Sequence, residues 1–538
     1  MAKLDTALRL DGWRGRALDF IVGAIAVLGL APFYIWPLAL LCFGWLAIRL
    51  ARAAERRENA AKICRSRALW FAMGYFIFGL FWIGAAFIAR GPSYIPLMVP
   101  AVLLLCAVLS LFWVIAAHVY AKLKPHGLWA LVIFASLMSM TEIARGHVFS
   151  GFPWNLPGYI FKAGGSVSQS ASVIGIYGLT FLTLLIAGAL GHCLSARTHD
   201  LNLPRKSGIM FLLILGGLYG FGFLRLQAAP PLEFHNGVKL RIVQTPFDQK
   251  DNLDRLGSIG ITNDYLTQTA SEGLEDISHV IWPEGALGGL ALENENLMRA
   301  VSDLFLSFDD TPPVWLPSSL REEIRPASDG TPVSYYYNSS AAITFDADGS
   351  AAISTINDKM KLVPFGEGLP AGRFLERFGL TPMSTASSFV TPAPVKELAI
   401  FPGLPKLSPQ ICYEIIFPAM TPHPKNAPSA EWILNQSNDG WYGKSTGPRQ
   451  HANQAAYRAI EEGLPIVRAA GNGISGVIDP YGRWYTRVGP EATAALDTKL
   501  PKSIARPLFS INQIWLLFLI NLASCLLYHV RETQRRGA

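Results

Sequence analysis

Three short stretches in the second half of the chain carry residue types that nucleophilic chemistry at a carbonyl requires. Cys412 closes the apolar run Leu407–Ile411 and is followed by Tyr413 and Glu414. That is the setting of a strand end where reactive groups are displayed. The run His279-Val280-Ile281-Trp282 passes through Pro283 into Glu284, and a proline there ends a strand ladder and leaves the carboxylate at the rim. Lys359 heads Met360-Lys361-Leu362-Val363-Pro364-Phe365-Gly366-Glu367, so an apolar-flanked ammonium sits beside a Pro and a Gly, with Glu367 near enough to orient it. A free thiol is mostly protonated at neutral pH; a base to take the proton and a cation to stabilise developing charge make it a nucleophile. Each residue also has a plainer reading: a buried cysteine packed as a small hydrophobe, a strand-end glutamate facing water, a solvated lysine.

The cysteine distribution favours the chemical reading. Cys42, Cys64, Cys106, Cys193 and Cys525 all fall in or beside long apolar runs, and Cys412 stands alone in the polar part with no partner for an intramolecular disulfide. A lone thiol outside the cytoplasm is a liability unless it is buried or chemically useful. The histidines of that part, His235, His279, His423 and His451, sit in no Cys/His motif and read as surface or packing residues. Paired His or Cys at ligand spacing is absent, so no metal is expected. Nor is there a phosphate loop or dinucleotide fingerprint, so no cofactor is expected. Trp441 and Tyr442, flanked by Gly440 and Gly443, read either as an aromatic lid or interfacial anchor or as a packed pair in a turn.

The elements that position these residues divide between membrane and water. Of 538 residues, 51% are hydrophobic and only 16% charged, against roughly 25% charged in ordinary soluble chains, and mean hydropathy is +0.29. A wholly soluble or disordered protein is excluded. Apolar runs long enough for spanning helices are expected near 17–31, 34–50, 68–89, 97–120, 127–143, 171–194 and 208–226, with an eighth near 508–528; the first two are joined by the turn Ala31-Pro32-Phe33. The domains expected are 1–226 for the helices, 227–507 for the polar part, 508–528 for the last span and 529–538 for a tail. Within the spans only Glu142, near an end, is read as charged, which argues against an ion path.

From Ala228 to Pro507 there are 23 Lys/Arg against 31 Asp/Glu, so the overall charge of +7 comes from the hydrophobic parts. No basic patch marks a nucleic-acid face, and nucleic acid is excluded as a partner. Short loops on one side of the eight spans hold nineteen Lys/Arg against three on the other. The rule that such loops stay cytoplasmic puts both termini inside and the 227–507 segment outside.

That segment reads as one α/β domain. Strands are expected at Lys239–Gln244, His279–Trp282, Val314–Leu316, Tyr335–Phe345, Leu407–Tyr413, Trp432–Gln436, Pro465–Ala470 and Ser475–Asp479. Helices are expected at 293–308 and 449–462, the second with a small-residue face.

Together, Trp282-Pro283-Glu284, Lys359 ahead of Val363-Pro364-Phe365-Gly366-Glu367, and Cys412-Tyr413-Glu414 resemble the Glu-Lys-Cys triad of the nitrilase superfamily in chain order and strand context. With seven spans before and one after, the whole chain resembles the apolipoprotein N-acyltransferase family, as do Gly151-Phe152-Pro153-Trp154 and Ser437-Asn438-Asp439-Gly440-Trp441-Tyr442-Gly443. The resemblance implies an αββα sandwich on a bundle of about eight transmembrane helices. It makes Cys412 the nucleophile, Glu284 the general base, and Lys359 with the Tyr413 N–H the stabilisers of the oxyanion. Glu367 and Glu414 become supporting residues. Where the family often has a tryptophan, the stretch Asp248–Leu253 has none.

The implied activity moves an acyl chain from a membrane phospholipid to the N-terminal amine of a diacylglyceryl apolipoprotein, through a thioester. The implied enzyme is a monomer of the bacterial inner membrane with a periplasmic catalytic domain. The rival readings are a membrane-tethered amidase of small molecules and a transporter or receptor with a degenerate ectodomain.

Overall fold

A computed structural model describes residues 6–8, 10–56, 58–194, 202–307, 312–326, 330–368, 396–424 and 427–537. The chain divides into two units, one comprising Met1–Gly84, Ile95–Ala229 and Pro507–Ala538, the other Ala85–Tyr94 with Pro230–Arg506.

In the first unit, seven helices among the described residues are long and apolar enough to cross a membrane: Trp36–Ala54, Ala60–Ala89, Pro92–Leu123, Leu128–Ser150, Val167–Leu194, Pro204–Gln227 and Ile511–Arg535. They correspond to seven of the eight expected spans, and the protein is multi-pass. The eighth, 17–31, is a 15-residue helix, Gly12–Ala26, continued by one turn of 3₁₀ helix, Val27–Gly29. At about 1.5 Å per residue the α-helical part spans roughly 22 Å, short of a hydrocarbon core of about 30 Å. Small residues let this helix approach its neighbour closely: a side chain on Gly74 would lie 2.0 Å from the Phe20 carbonyl oxygen, and one on Gly23 2.0 Å from that of Phe71.

The expectation that Glu142 is the lone charge in the spans is corrected. Asp19, Arg49, Arg67 and Arg145 are buried in these helices as well. Burial is possible because each is partnered: Arg49 binds Asp19 at 2.7 Å, Arg67 binds Asp11 at 2.9 Å, and Arg145 pairs with Glu142. Glu142 also accepts from Trp113 Nε1 at 2.6 Å, and Arg145 donates to the carbonyl of Phe152. That last bond ties the Gly151–Trp154 segment to the bundle.

Twelve strands among the described residues build the second unit: β1 Phe234–Gln244, β2 His279–Ile281, β3 Val314–Leu316, β4 Ser318–Pro326, β5 Pro332–Phe345, β6 Ala351–Asp358, β7 Leu407–Ile411, β8 Trp432–Ser437, β9 Ile466–Ala470, β10 Ser475–Ile478, β11 Trp484–Val488 and β12 Ala494–Pro501. One sheet runs β12-β1-β2-β3-β5-β4, with β6 on β5; the other runs β11-β10-β9-β8-β7. Strands β1-β2-β3 form a parallel centre in the first sheet, and β7-β8-β9 are parallel at one end of the second; the remaining pairings are antiparallel.

Side-chain alternation sorts residues between layers. Leu240, Ile242, Ile281, Leu316 and Ala342 of the first sheet meet Trp432, Leu434, Val467, Ala469 and Val477 of the second in one core. Val243, Val280, Trp315 and Ile343 point the other way, onto Ile261 and Tyr265 of helix Arg255–Thr269 and Val301 and Phe305 of helix Glu295–Leu306. Both faces of the parallel strands are covered, which is why they read as unbroken apolar runs. Gln436 links the sheets, donating to the carbonyls of Trp282 at 2.8 Å and Leu316 at 3.0 Å while accepting from Ser340 at 2.6 Å.

The expected strand through Tyr413 ends at Ile411, and Cys412–Ile416 is a 3₁₀ turn. The expected helices are Glu295–Leu306 and Gly447–Glu462; residue 308 lies outside the described residues.

Candidate active site

Glu284 follows β2, Cys412 follows β7 and Asn438 follows β8, so three groups emerge at the carboxyl ends of parallel strands, where open α/β sheets place their ligands. Lys359 follows β6 directly, and its N–H is held by the Asn338 carbonyl of β5 at 2.8 Å. Gly285, next to Glu284, has φ of +86°, and a side chain there would come within 2.6 Å of Asn438 Nδ2.

The three chemistry-bearing residues are brought together. Lys359 Nζ lies 2.7 Å from Glu367 Oε1 and 3.4 Å from Glu284 Oε1. Burial opposes the ammonium charge, but Glu284, Glu367 and the Cys412 sulfur outweigh it and hold the lysine pKa above its ordinary value. Glu284 accepts from Asn338 Nδ2 at 2.6 Å through Oε1 and from the Asn438 N–H at 2.9 Å through Oε2. Glu367 takes the Val363 N–H at 2.9 Å and Asn338 Nδ2 at 3.3 Å. Lys359 is 1% exposed, whereas Glu284 keeps 15% and Glu367 13%. The carboxylates, not the ammonium, face the opening.

Cys412 has φ of +48°, a left-handed conformation that costs a non-glycine residue on the order of 1–2 kcal/mol. Burial pushes its thiol up to about 12, with Glu284 adding to the effect and Lys359 and Ser437 easing it. Tyr442 is buried, its hydroxyl 4.0 Å from Cys412 Sγ and its ring edge-on to His451. Trp441, on the same turn, is only half-buried, so the structure splits the aromatic pair. Tyr413 is buried with its ring against Phe417 at 5.1 Å.

Glu414 is fully buried and gathers four donors. Met360 N–H (2.7 Å) and Lys361 N–H (3.2 Å) bind one oxygen; Lys396 Nζ (2.6 Å) and Ile411 N–H (2.8 Å) bind the other. The three backbone donors lie just after Lys359 and just before Cys412, so Glu414 fixes the backbone that carries both. Burial lowers the pKa of Lys396, and Glu414 counters it.

Four residues of this region escape a reading of local sequence: Asn338, Asn438, Gln249 and His451. The only local signal for Asn338 is a polar residue inside an apolar strand run. Gln249 lies in the stretch without the family tryptophan, is buried, and accepts from Asn438 Nδ2 at 2.9 Å. His279 is the packing residue expected, with Nε2 on the Pro402 carbonyl at 2.8 Å. His451 is buried as well, with its Nε2 3.2 Å from the Cys412 carbonyl oxygen. Among the described residues no group of three His, Cys, Asp or Glu could hold a metal ion.

A nucleophile, a carboxylate and an ammonium on three strand ends can attack a carbonyl, carry the proton and hold an oxyanion. Residues 22–189 match the family model of the apolipoprotein N-acyltransferase N-terminal domain, and residues 239–505 that of carbon-nitrogen hydrolases. An apolipoprotein N-acyltransferase of Rhodopseudomonas palustris is 34% identical over 511 residues, covering 93% of this chain and 92% of the relative. That of Caulobacter vibrioides is 35% identical over 511 residues, covering 92% and 91%. That of Bradyrhizobium diazoefficiens is 33% identical over 531 residues, covering 97% and 96%. Matched along nearly its full length, in membrane helices and α/β unit alike, the chain belongs to the apolipoprotein N-acyltransferase family.

Proposed function

We propose that the protein transfers an acyl chain from a membrane phospholipid to the free α-amine of a diacylglyceryl-cysteine at the N-terminus of an apolipoprotein. The observation that carries this reading is the meeting of Glu284, Lys359 and Cys412 at neighbouring strand ends of a chain that also carries a set of membrane helices.

The Cys412 thiol, pushed up to about 12 by burial, is neutral before reaction, so its proton leaves as the sulfur–carbon bond forms. Glu284 takes that proton, oriented by Asn338 and Asn438. The ester carbonyl oxygen becomes an oxyanion held by Lys359 Nζ and the Tyr413 N–H. Collapse of the tetrahedral intermediate returns the proton to the departing lysophospholipid and leaves a thioester on Cys412. The acceptor amine then attacks the thioester, Glu284 takes its proton, and the thiol leaves with an amide formed. The thioester keeps the acyl group reactive and the amide is more stable, so transfer runs downhill without ATP. Ping-pong kinetics follow. Tyr442 walls the thioester pocket, half-buried Trp441 meets substrate as a lid, and Glu367 and Glu414 support the lysine and the backbone.

Both substrates carry acyl chains whose extraction into water would cost about 0.8 kcal/mol per CH₂; a membrane-anchored enzyme avoids that cost. The expected boundaries at 226, 507 and 528 make the catalytic unit an insertion before the last span. Nineteen basic residues on one side against three support an inner-membrane topology with cytoplasmic termini and a periplasmic catalytic unit. That parity requires the short Gly12–Gly29 segment to cross, and the basic residues Lys3, Arg9, Arg14 and Arg16 at its start favour it. The working unit is a monomer.

Intact mass of detergent-purified protein incubated with phosphatidylethanolamine tests the central step. One fatty-acyl increment, removed by neutral hydroxylamine and absent from Cys412→Ala, is expected. A folded wild type that never carries the increment, with no acceptor present, overturns the thioester route.

A further inference from the structure

His451 sits in helix Gly447–Glu462, 39 residues beyond the nucleophile, in a fully buried polar cluster that the proposed chemistry does not use. Its Nε2 is 3.2 Å from the Cys412 carbonyl oxygen. A carbonyl has no proton to give, so Nε2 carries the hydrogen and donates it. With the hydrogen on Nε2, the neutral ring's Nδ1 accepts from Arg468 Nη2 at 3.2 Å; the Asp439 carboxylate, whose Oδ1 is 3.0 Å from Nδ1, gives the ring no hydrogen bond in that tautomer and pairs with Arg468. Asp439 is itself fixed by Arg468 at 2.7 Å and by the Ser437 hydroxyl at 2.7 Å. Arg468 donates further to Asn435 and to the Ile474 carbonyl. The ring is thus held from β8, β9 and the turn after β8, and the Tyr442 ring packs against it nearly at right angles, centroids 5.5 Å apart. Burial and Arg468 keep His451 below its ordinary pKa.

The carbonyl that His451 binds belongs to the Cys412–Tyr413 peptide, whose other end is the Tyr413 N–H. In a trans peptide the C=O and N–H point in opposite directions along one rigid plane. A donor on the oxygen therefore fixes where the N–H aims, and by polarising the amide it strengthens that N–H as a donor. We propose that His451 is a positioning residue for the oxyanion site: it pins and polarises the Cys412–Tyr413 peptide from behind, so that the Tyr413 N–H meets the oxyanion. The proposal rests on the acyl-transfer reading, in which that N–H is an oxyanion donor. It differs from a merely packed histidine in predicting which step suffers when the donor is lost.

Acylation of Cys412 builds a tetrahedral oxyanion, whereas alkylation by iodoacetamide displaces iodide and builds none. The test compares His451→Gln, which keeps an N–H donor, with His451→Met, which keeps the length without one; His451→Phe replaces the Met variant if that does not fold. In the full-length detergent-solubilised enzyme, the acyl-enzyme formation rate from phosphatidylethanolamine and the iodoacetamide alkylation rate of Cys412 are measured for each. Loss of a whole oxyanion donor costs about 10²–10³ in rate, and loss of its support is expected to cost about 10–100-fold. The Met variant should lose that much in acylation at unchanged KM, keep its alkylation rate within about twofold, and be largely restored by Gln. Equal loss in both reactions, or no loss in acylation, overturns the proposal. A wild type that alkylates but never acylates overturns the acyl-transfer reading instead, so the two failures are distinct.

Discussion

Both units bury one-to-one ion pairs, Arg145–Glu142 in the helical unit and Lys396–Glu414 in the α/β unit among them; the cluster around Lys359 is built differently. In the helical unit, Arg49 meets one carboxylate, Asp19, and spends its remaining donors on the carbonyls of Leu8 at 3.1 Å and Leu10 at 2.7 Å. Arg145 likewise meets one carboxylate, Glu142. In the α/β unit one ammonium, Lys359, stands between two carboxylates, Glu284 and Glu367, with a thiol beside them. One-to-one pairing with saturated hydrogen bonds leaves nothing to react and serves architecture. An unequal cluster holds a carboxylate that is oriented yet not neutralised, and that surplus is what a general base needs.

The sharpest test of the contrast removes the lysine. Lys359→Met should lower acyl-enzyme formation by about 10³-fold, at the upper end for an oxyanion stabiliser, with Lys359→Arg failing to rescue because its planar fork does not replace a point charge. The unfolding midpoint should fall by less than for Arg145→Ala, because Glu284 and Glu367 keep 15% and 13% exposure and their other hydrogen-bond donors. A collapse in stability equal to that of the helical-unit variants would erase the distinction.

Next in size is the opposite case. Arg145→Ala strands Glu142 and should cost about 3–5 kcal/mol of stability, read by thermal unfolding in detergent, while activity per folded molecule is kept. Replacing both partners, Glu142→Leu with Arg145→Met, should cost less, about 1–3 kcal/mol, from the orphaned Phe152 carbonyl and Trp113 indole N–H. A double variant worse than the single one would mean that the pair does more than hold the bundle.

The smallest effect concerns the thiol. With its pKa pushed up to about 12, the thiolate fraction of Cys412 rises tenfold per pH unit through the range about 8 to 10, so iodoacetamide alkylation should climb without levelling off. A plateau near about 8.5, the ordinary thiol value, would show that burial does not control Cys412.

Part of the candidate site could be read before any coordinates, for a physical reason: Glu284 and Cys412 each terminate an apolar run, and a run that stops at a polar residue marks a strand end, whereas Lys359 follows the polar pair Asn357-Asp358 and stood out only by the apolar flank after it and by the family resemblance. The residues that orient them carry no such mark. Asn338 lies mid-strand and His451 in an alanine-rich helix, and their contacts cross 54 and 39 positions of sequence. Strands β4, β11 and β12 went unrecognised because they carry Arg321, Glu322, Glu323, Arg487 and Lys499 in place of apolar residues, and β6 because small and polar residues, Ala351, Ala352, Ser354, Thr355, Asn357 and Asp358, outnumber its two isoleucines. The strand before Cys412 looked one turn too long because a non-glycine left-handed residue leaves no trace in composition. The first membrane segment looked like its neighbours because apolar content was visible and helix length was not.

Glu414 joins the two halves of the chemistry on a single side chain, taking N–H groups from both sides of the gap between Lys359 and Cys412. On the proposed acyl-transfer reading, the nucleophile and the group that receives the negative charge are therefore tied to one side chain. If the proposed lipid substrates enter by an opening elsewhere, these four bonds hold the spacing of Lys359 and Cys412 independently of it.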